Sequence, residues 1–575
     1  MIKEYSQNRS NVIMNFSKKY CDSPQELLQS LGFRKVLEKY VSILKKKDTL
    51  LYDNLVHSIG RDKINKPLLE LFRLLLVLDT SEVAKLNKEY SKLIQEKDLL
   101  IDFVEGFYNY WRKLERYALI QTSKESSGIQ SVNFIGANNN FSNTVLSTYR
   151  SIEENIMGYK HNVYRQLSAG INAGIVLNEN HETLPVEYDV LSGIQVVNAL
   201  VITPPFIIYP KRNTRSGTFS EVFANPISNL NIKKSHYFCY PAKVGELLAF
   251  VYFHRDFMNH GVALANLFEL AKPQDYEHKK PDLIYVFGQR IEEKGKKTVF
   301  YKDNQNDMYI GFANNTEDID YFGYMKKMIL TLHNLKMIDK QHLPIHGAMV
   351  NVTMKSGKTA NIAIIGDSGA GKSESLEAFR LLSDKYLKEI KIIFDDMGTF
   401  KIENGKVYGY GTEIGAFVRL DDLDPGYAFK EMDRAIFMNP DKVNARLLLP
   451  VSTYKDIVKG YKVDIVLYAN NYDNNKEVLE LFSNKEDAKD TFVKGYRMAK
   501  GTTSEKGVVE SYFANPFGPI QRKEETDIII ERVFSTLFNN KVEVGQIYTK
   551  LGIKGYEIKG PEKAAIKLFE WLKSK

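Results

Sequence analysis

Apolar residues recur at three- and four-residue spacing through three early stretches: 25–47 (QELLQSLGFRKVLEKYVSILKKK), 66–78 (KPLLELFRLLLVL) and 97–120 (KDLLIDFVEGFYNYWRKLERYALI). That spacing puts an apolar stripe along a helix, so residues 24 to about 122 are expected to be all-helical. A polar stretch rich in Gly, Ser and Asn follows from Thr122 to Asn143 and is the best candidate for a linker. After another helical stretch, Thr144–Leu167, the pattern changes. Short β-rich runs appear at 193–202 (GIQVVNALVI), 206–210 (FIIYP), 237–241 (YFCYP), 247–253 (LLAFVYF) and 282–288 (DLIYVFG), separated by turns carrying Pro, Gly and Asn. From Tyr321 onward strand-like and helix-like segments alternate. The pattern predicts a mixed α/β chain in three parts: an all-α accessory domain over 1–135, an α/β lobe over 136–335 and a second α/β lobe over 336–575.

One stretch in the last part carries chemistry. Residues 361–373 read NIAIIGDSGAGKS and contain Gly366-x-x-x-x-Gly371-Lys372-Ser373. Glycines let backbone N–H groups turn inward around an anion, a lysine reaches the β- and γ-phosphates, and a serine hydroxyl holds a divalent metal. Asn361–Ile365 reads as a buried strand and Glu374–Leu387 as a helix, so the loop Gly366, Asp367, Ser368, Gly369, Ala370, Gly371, Lys372, Ser373 is expected to present a helix N-terminus to nucleotide phosphates. Downstream, Lys391–Phe394 reads as a strand ending in Asp395-Asp396, where a nucleotide-bound metal needs oxygen ligands. Upstream, His346-Gly347 leads into an apolar segment, Ala348–Val352, expected to lie near the loop. Further upstream is Tyr321-Phe-Gly-Tyr-Met-Lys326-Lys327.

Bulk properties set limits on these readings. The chain has 575 residues, 43% of them hydrophobic, enough for several cores. Its two cysteines, Cys21 and Cys239, build neither a disulfide framework nor a zinc site alone, which points to a reducing compartment. The apolar runs are broken: Leu68–Leu78 contains Glu70 and Arg73, and Val196–Tyr209 is split by Pro204-Pro205. A cytoplasmic protein without membrane association is expected. The net charge of +8 suits an anionic small substrate, and no nucleic-acid-binding signature accompanies it. Lys45-Lys46-Lys47 reads as a solvated helix face.

The order of these pieces resembles the phosphoenolpyruvate carboxykinases, most closely their ATP-dependent branch. In that family a Tyr-x-Gly-x-Met-Lys-Lys segment, a histidine segment, the phosphate loop and an Asp-Asp pair follow one another, as Tyr321–Lys327, His346, Gly366–Ser373 and Asp395-Asp396 do here. Asn444-Ala-Arg446-Leu-Leu-Leu-Pro450 is similar to a later family segment. Thr491–Gly507 looks like the adenine-side segment, and Ser511–Gly518 (SYFANPFG) like the aromatic motif after it. The likeness covers roughly 320–575, is weak over 185–320 and absent before.

The resemblance implies a catalytic metal, usually Mn²⁺, held by Lys327, His346 and Asp396, with Lys327 neutral and Lys326 beside it. It implies Mg²⁺ on the nucleotide, near Asp395 and Ser373. Arg446 would contact the transferring phosphoryl group and the substrate carboxylate, and Tyr321 would pack against a small acid, oxaloacetate or phosphoenolpyruvate. Arg215, in Asn213-Thr-Arg215-Ser216-Gly217, would be the substrate arginine, with Arg212 the competing choice. Arg419 would add a phosphate contact and Lys506 would lie on the base side of ATP.

The loop itself, Gly-Asp-Ser-Gly-Ala-Gly-Lys-Ser-Glu, looks more like that of HPr kinase/phosphorylase, and Lys506 stands where arginine is usual, which leaves the nucleotide base open. Three functions therefore compete: a carboxykinase, a kinase on a protein or another small acceptor, and a non-catalytic nucleotide-sensing scaffold whose N-terminal helices bind a protein partner.

Overall fold

The computed structural model describes residues 3–8, 10–60, 63–122, 133–160, 162–163, 169–179, 183–228, 230–290, 297–367, 369–372, 375, 387–423, 430–499 and 507–575. The chain is mixed α/β and divides into two compact units, Met1–Glu179 with Gln195–Thr203, and Asn180–Ile194 with Pro204–Lys575. Among the described residues no helix is long and apolar enough to cross a membrane.

The first unit is not all-helical. Its strands run in the order Tyr5–Asn8, Asn11–Asn15, Glu115–Gln121, Ala173–Asn178, Val196–Ile202. The two pairs around Glu115–Gln121 are parallel. The periodic stretch 97–120 therefore breaks: a helix over Lys97–Arg112 gives way to the strand Glu115–Gln121. The reason is visible in ERYALI. A strand in a parallel stack is covered on both faces, and its continuous apolar run cannot be told from a buried helix by spacing alone. Nor does the unit end near 135. The helix Phe134–Met157 starts inside the expected linker, and its apolar face (Phe141, Val145, Ile152, Ile156) is buried within this unit. Residues 123–132 lie outside the described set. Lys45–Lys47 form the exposed last turn of the helix Leu31–Lys47, where their charge complements the helix dipole.

A buried guanidinium closes the break between helix and strand. Arg116 donates to the carbonyls of Gly170 (2.6 Å), Trp111 (2.7 Å), Leu114 (2.8 Å) and Arg112 (2.9 Å). These include carbonyls that the end of the helix leaves without partners. Burial pulls its pKa down to about 10. Arg116→Met would strand these acceptors in the interior. We expect it to destabilise the first unit by about 3–5 kcal/mol in urea denaturation followed by Trp111 fluorescence.

Among the described residues the second unit holds a two-stranded ribbon, Arg497–Met498 with Val508–Val509, and three larger sheets. One runs Ser220–Glu221, Thr298–Asp303, Met308–Asn314, Leu283–Gln289, Leu247–His254, Tyr237–Val244. A second runs Tyr461–Lys462, Lys406–Gly411, Leu387–Glu403, Leu343–Met354, Thr359–Ile365, Ile465–Asn470, Glu543–Tyr548, Leu479–Leu481. A third, smaller sheet runs Gly415–Arg419, Arg446–Pro450, Ile436–Met438, Phe206–Ile208. All five β-rich runs read from the sequence contain strands. The helix Phe322–Asp339 is buried on nearly every side and packs against the first two sheets. A helix covered all round must still place its polar residues, and Lys326, His333, Asn334 and Lys336 are among those buried here.

Candidate functional site

Three neighbouring strands of the second sheet bring the loop, the histidine and the acidic pair together. Leu343–Met354 lies antiparallel to both Thr359–Ile365 and Leu387–Glu403. Gly347 is opposite Ile365 on one side and Asp396 on the other. The first residue of the loop is tied to the histidine strand, since Gly366 N–H donates to His346 O at 3.0 Å. Gly347 is required by this packing: a Cβ there would lie 2.4 Å from Ile364 O.

The acidic pair is placed differently from the sequence expectation. The strand does not end at Asp395-Asp396 but continues to Glu403. Of the expected helix Glu374–Leu387, only Ser375 and Leu387 are described, and Leu387 opens this strand. Asp396 has φ +139°, a strained backbone inside a sheet, and such strain clusters where a side chain must be aimed. Aspartate is depleted in strands, so a pair of them argues for a strand end that the structure does not make.

Asp396 is the centre of a charged knot. Its Oδ2 lies 2.6 Å from both Lys326 Nζ and Lys327 Nζ, and its Oδ1 is 3.0 Å from His346 Nε2. Glu413 stands 3.4 Å from Lys326 Nζ; its two oxygens are buried and make no hydrogen bond among the described residues. Burial tends to raise the Asp396 carboxyl, but the two lysines outweigh it and hold its pKa well below the carboxylate range. Burial pulls Lys326 down, but Asp396 and Glu413 outweigh it and keep it above its usual value. Lys327 goes the other way: burial, with Lys326 adding, lowers it to about 8 despite Asp396. Glu413 is pushed up to about 8, chiefly by burial. Two adjacent lysines are thus divided into one firmly charged and one ready to lose its proton.

The histidine's tautomer is set by its other neighbour. His346 Nδ1 is 2.8 Å from Ala514 O, and a carbonyl only accepts, so Nδ1 carries the proton. Burial lowers the His346 pKa and favours the neutral ring. Nε2 therefore presents a lone pair to the Asp396 carboxylate, two acceptors face to face. A divalent cation between them removes the conflict, and Lys327 once neutral supplies a third donor. Among the described residues no three His, Cys, Asp or Glu side chains could hold a metal. A metal set here needs the lysine. The donors His346 Nε2, Asp396 Oδ1 and Lys327 Nζ fit such an ion, with the imidazole oriented by a backbone carbonyl as metal-bound histidines are.

The phosphate loop is braced from behind. Lys372 Nζ donates to Asp367 O at 3.1 Å, and Asp367 Oδ2 accepts from Arg497 Nε at 2.9 Å. Asn471 Nδ2 donates to Gly369 O (2.9 Å) and Thr549 Oγ1 to Ala370 O (2.7 Å). Gly371 has φ +92°, and a Cβ there would meet the Thr549 side chain at 2.6 Å. Ser368, Ser373 and Lys506 lie outside the described residues.

Two rings collect the remaining cations. Arg215 lies over Phe517 (5.0 Å to the centroid) and Lys327 over the same ring (4.6 Å). Arg446 and Lys326 flank Phe417 (5.5 and 5.8 Å), and the Tyr321 ring is 6.1 Å from it. Arg446 Nη2 donates to Asn444 Oδ1 at 2.9 Å, while its buried Nε makes no hydrogen bond among the described residues. Arg419 is the register partner of Arg446, with Nη2 3.4 Å from Asp421. Arg212 pairs with exposed Asp318 at 3.0 Å, which leaves Arg215 as the arginine near the knot.

Several residues of this arrangement escaped sequence reading. Asn439 Nδ2 donates to Pro210 O (2.8 Å) and to Asn213 Oδ1 (2.5 Å), and Asn444 Nδ2 to Asn213 O (2.5 Å), so two asparagines hold the segment bearing Arg215. Both have positive φ, 50° and 63°. Asn334 Nδ2 donates to Phe517 O at 2.6 Å and fixes the shared ring. An acid inside the apolar run GYGTEIGAF was the one available signal for Glu413. Arg497 and Phe517 lie in the segments Thr491–Gly507 and Ser511–Gly518 already singled out, without roles of their own there, and Asn439 gave no signal. Compared with known proteins, the chain matches no family model and no curated sequence.

Glu413 supplies a pH test of the knot. Its folded pKa, about 8, is above the unfolded value near 4.3, so folding favours its protonated form. That contribution is complete below about pH 4.3 and is lost as pH rises through about 8. Glu413→Gln cannot ionise. In urea titrations at pH 6, 7, 8 and 9 the variant should gain on the wild type by roughly 1 kcal/mol per unit up to about pH 8. Parallel pH curves would contradict the arrangement.

Proposed function

We propose that the second unit is a phosphoenolpyruvate carboxykinase-like enzyme, decarboxylating oxaloacetate and transferring the γ-phosphoryl of ATP to the resulting enolate oxygen to give phosphoenolpyruvate, CO₂ and ADP. The observation that carries this reading is Arg215 and Lys327 on one ring, Phe517, with Arg446 and Lys326 at the neighbouring ring. Cations gathered at two rings suit a small dicarboxylate better than a protein side chain.

In this reading His346, Asp396 and neutral Lys327 would hold Mn²⁺, and Asp395 with Ser373 would lie near nucleotide Mg²⁺. Bound there, the ions would supply Lewis-acid stabilisation of developing oxygen anions. The protein's own part is positional and electrostatic. Arg215 binds one substrate carboxylate, Tyr321 packs against the acid, Arg446 neutralises charge at the moving phosphoryl group, and Lys372 binds the phosphates. Lys326, kept charged chiefly by Asp396, adds a fixed positive potential as the enolate forms.

The test is a coupled assay of the full chain with Mn²⁺, Mg²⁺ and either oxaloacetate plus ATP or GTP, or phosphoenolpyruvate, CO₂ and the diphosphate. Formation of phosphoenolpyruvate, abolished in Arg215→Ala with nucleotide binding retained, is the expected result. No phosphoenolpyruvate with either nucleotide sinks the proposal.

A further inference from the structure

The first unit contains a cavity of about 90 Å³ that has no place in the chemistry above. Its wall is almost wholly apolar and largely aromatic: Phe16, Phe33, Phe107, Trp111 and Phe141 are among the side chains that line it. They come from the helices Leu31–Lys47, Lys97–Arg112 and Phe134–Met157 and from the end of the strand Asn11–Asn15. Protein interiors are otherwise close-packed, and a void of this size has room for about six water-sized bodies.

Water is poorly suited to fill it. The polar atoms along the wall are already engaged. Tyr5 Oη donates to Gln7 Oε1 (2.8 Å), Trp111 Nε1 to Ala169 O (2.7 Å), Ser30 Oγ to Leu27 O (2.8 Å) and Thr148 Oγ1 to Thr144 O (2.7 Å), and Tyr149 Oη is bonded to Glu105. A buried water needs two to four polar partners; the donor hydrogens of these groups are spent, so a water here would find only a few hydroxyl lone pairs on an otherwise apolar wall. The Cys21 thiol in the wall is pushed up to about 11 by burial, so it adds no charge.

The charged groups beside the cavity limit the ligand further. Lys19 is matched by Glu26 at 3.2 Å and is also influenced by Glu4, which lines the cavity with it. The mouth therefore offers no excess positive charge to a carboxylate. We propose that the first unit binds a small uncharged hydrocarbon ligand, an alkyl chain or an aromatic ring system of about six to ten non-hydrogen atoms, within this aromatic cavity.

The chain has two tryptophans, so Trp571→Phe leaves Trp111, in the cavity wall, as the sole reporter. Titrating that full-length protein with iodobenzene, an uncharged heavy-atom quencher of seven non-hydrogen atoms, should quench Trp111 saturably at one site per chain. 1-Octanol should displace the probe, and octanoate should do so at least tenfold more weakly. Val145→Phe places a ring in the cavity and should weaken probe binding at least tenfold while circular dichroism stays unchanged; Val36→Phe does the same from another helix should the first variant not fold. Absence of saturable quenching, or unchanged affinity in a folded filled variant, overturns the site. Octanoate binding as tightly as octanol overturns the uncharged assignment.

Discussion

Asp396→Asn is expected to lower turnover about a thousandfold and to cost about 2–4 kcal/mol of stability in the second unit. The amide has the size of the carboxyl and can keep its contacts. Its oxygen accepts from Lys327 and stays beside Lys326, both of whose Nζ atoms now lie 2.6 Å from Asp396 Oδ2, and its NH₂ donates to His346 Nε2. What is lost is the negative charge. Lys326, 1% exposed, is then balanced by Glu413 at 3.4 Å and, more weakly, by Asp395. Glu413 takes up part of that role by ionising, which is why the loss falls short of a fully stranded ammonium. The proposed metal site would be affected more severely, since a carboxylate ligand would become a neutral amide. Urea denaturation, Mn²⁺ titration and the coupled assay separate these effects. Unchanged stability would mean that the knot is not held by charge; unchanged Mn²⁺ affinity would remove Asp396 from the donor set.

Lys372→Ala is expected to weaken ATP binding by about a hundredfold or more, measured by calorimetry in Mg²⁺, and to abolish turnover with it. The fold should be nearly indifferent. Lys372 is 6% exposed, and among the described residues its Nζ makes one hydrogen bond, to Asp367 O in its own loop. A loop hydrogen bond of that kind contributes about 1 kcal/mol. The bracing of the loop by Asn471 and Thr549 does not pass through the lysine. ATP binding that survives the substitution would mean that the loop binds something else.

Much of this was legible along the chain, for reasons that differ by segment. The loop, His346 and the Lys326-Lys327 pair stand out because their residue types are costly to bury without purpose. The five β-rich runs stand out because turns bound them. The strand Glu115–Gln121 was hidden because covered strands and buried helices share one composition. The continuation of Leu387–Glu403 past its acids was hidden because an aspartate inside a sheet normally argues for a strand end. Glu413, Arg497 and Asn439 were out of reach for another reason: each matters through a partner far away in sequence, and single-residue patterns hold no record of such pairings.

The bond from His346 Nδ1 to Ala514 O spans 168 residues. Ala514 and its neighbour Phe513 both adopt left-handed φ, 50° and 51°, to deliver that carbonyl. During synthesis the histidine leaves the ribosome long before the atom that chooses its proton position. A nascent or clipped chain stopping short of residue 514 can build the strands around His346 and still leave the ring free to put its hydrogen on either nitrogen. Completion of the polypeptide would then act as the event that arms the imidazole, since a chain stopping there would lack both the Ala514 carbonyl and the strand Glu543–Tyr548 of the same sheet.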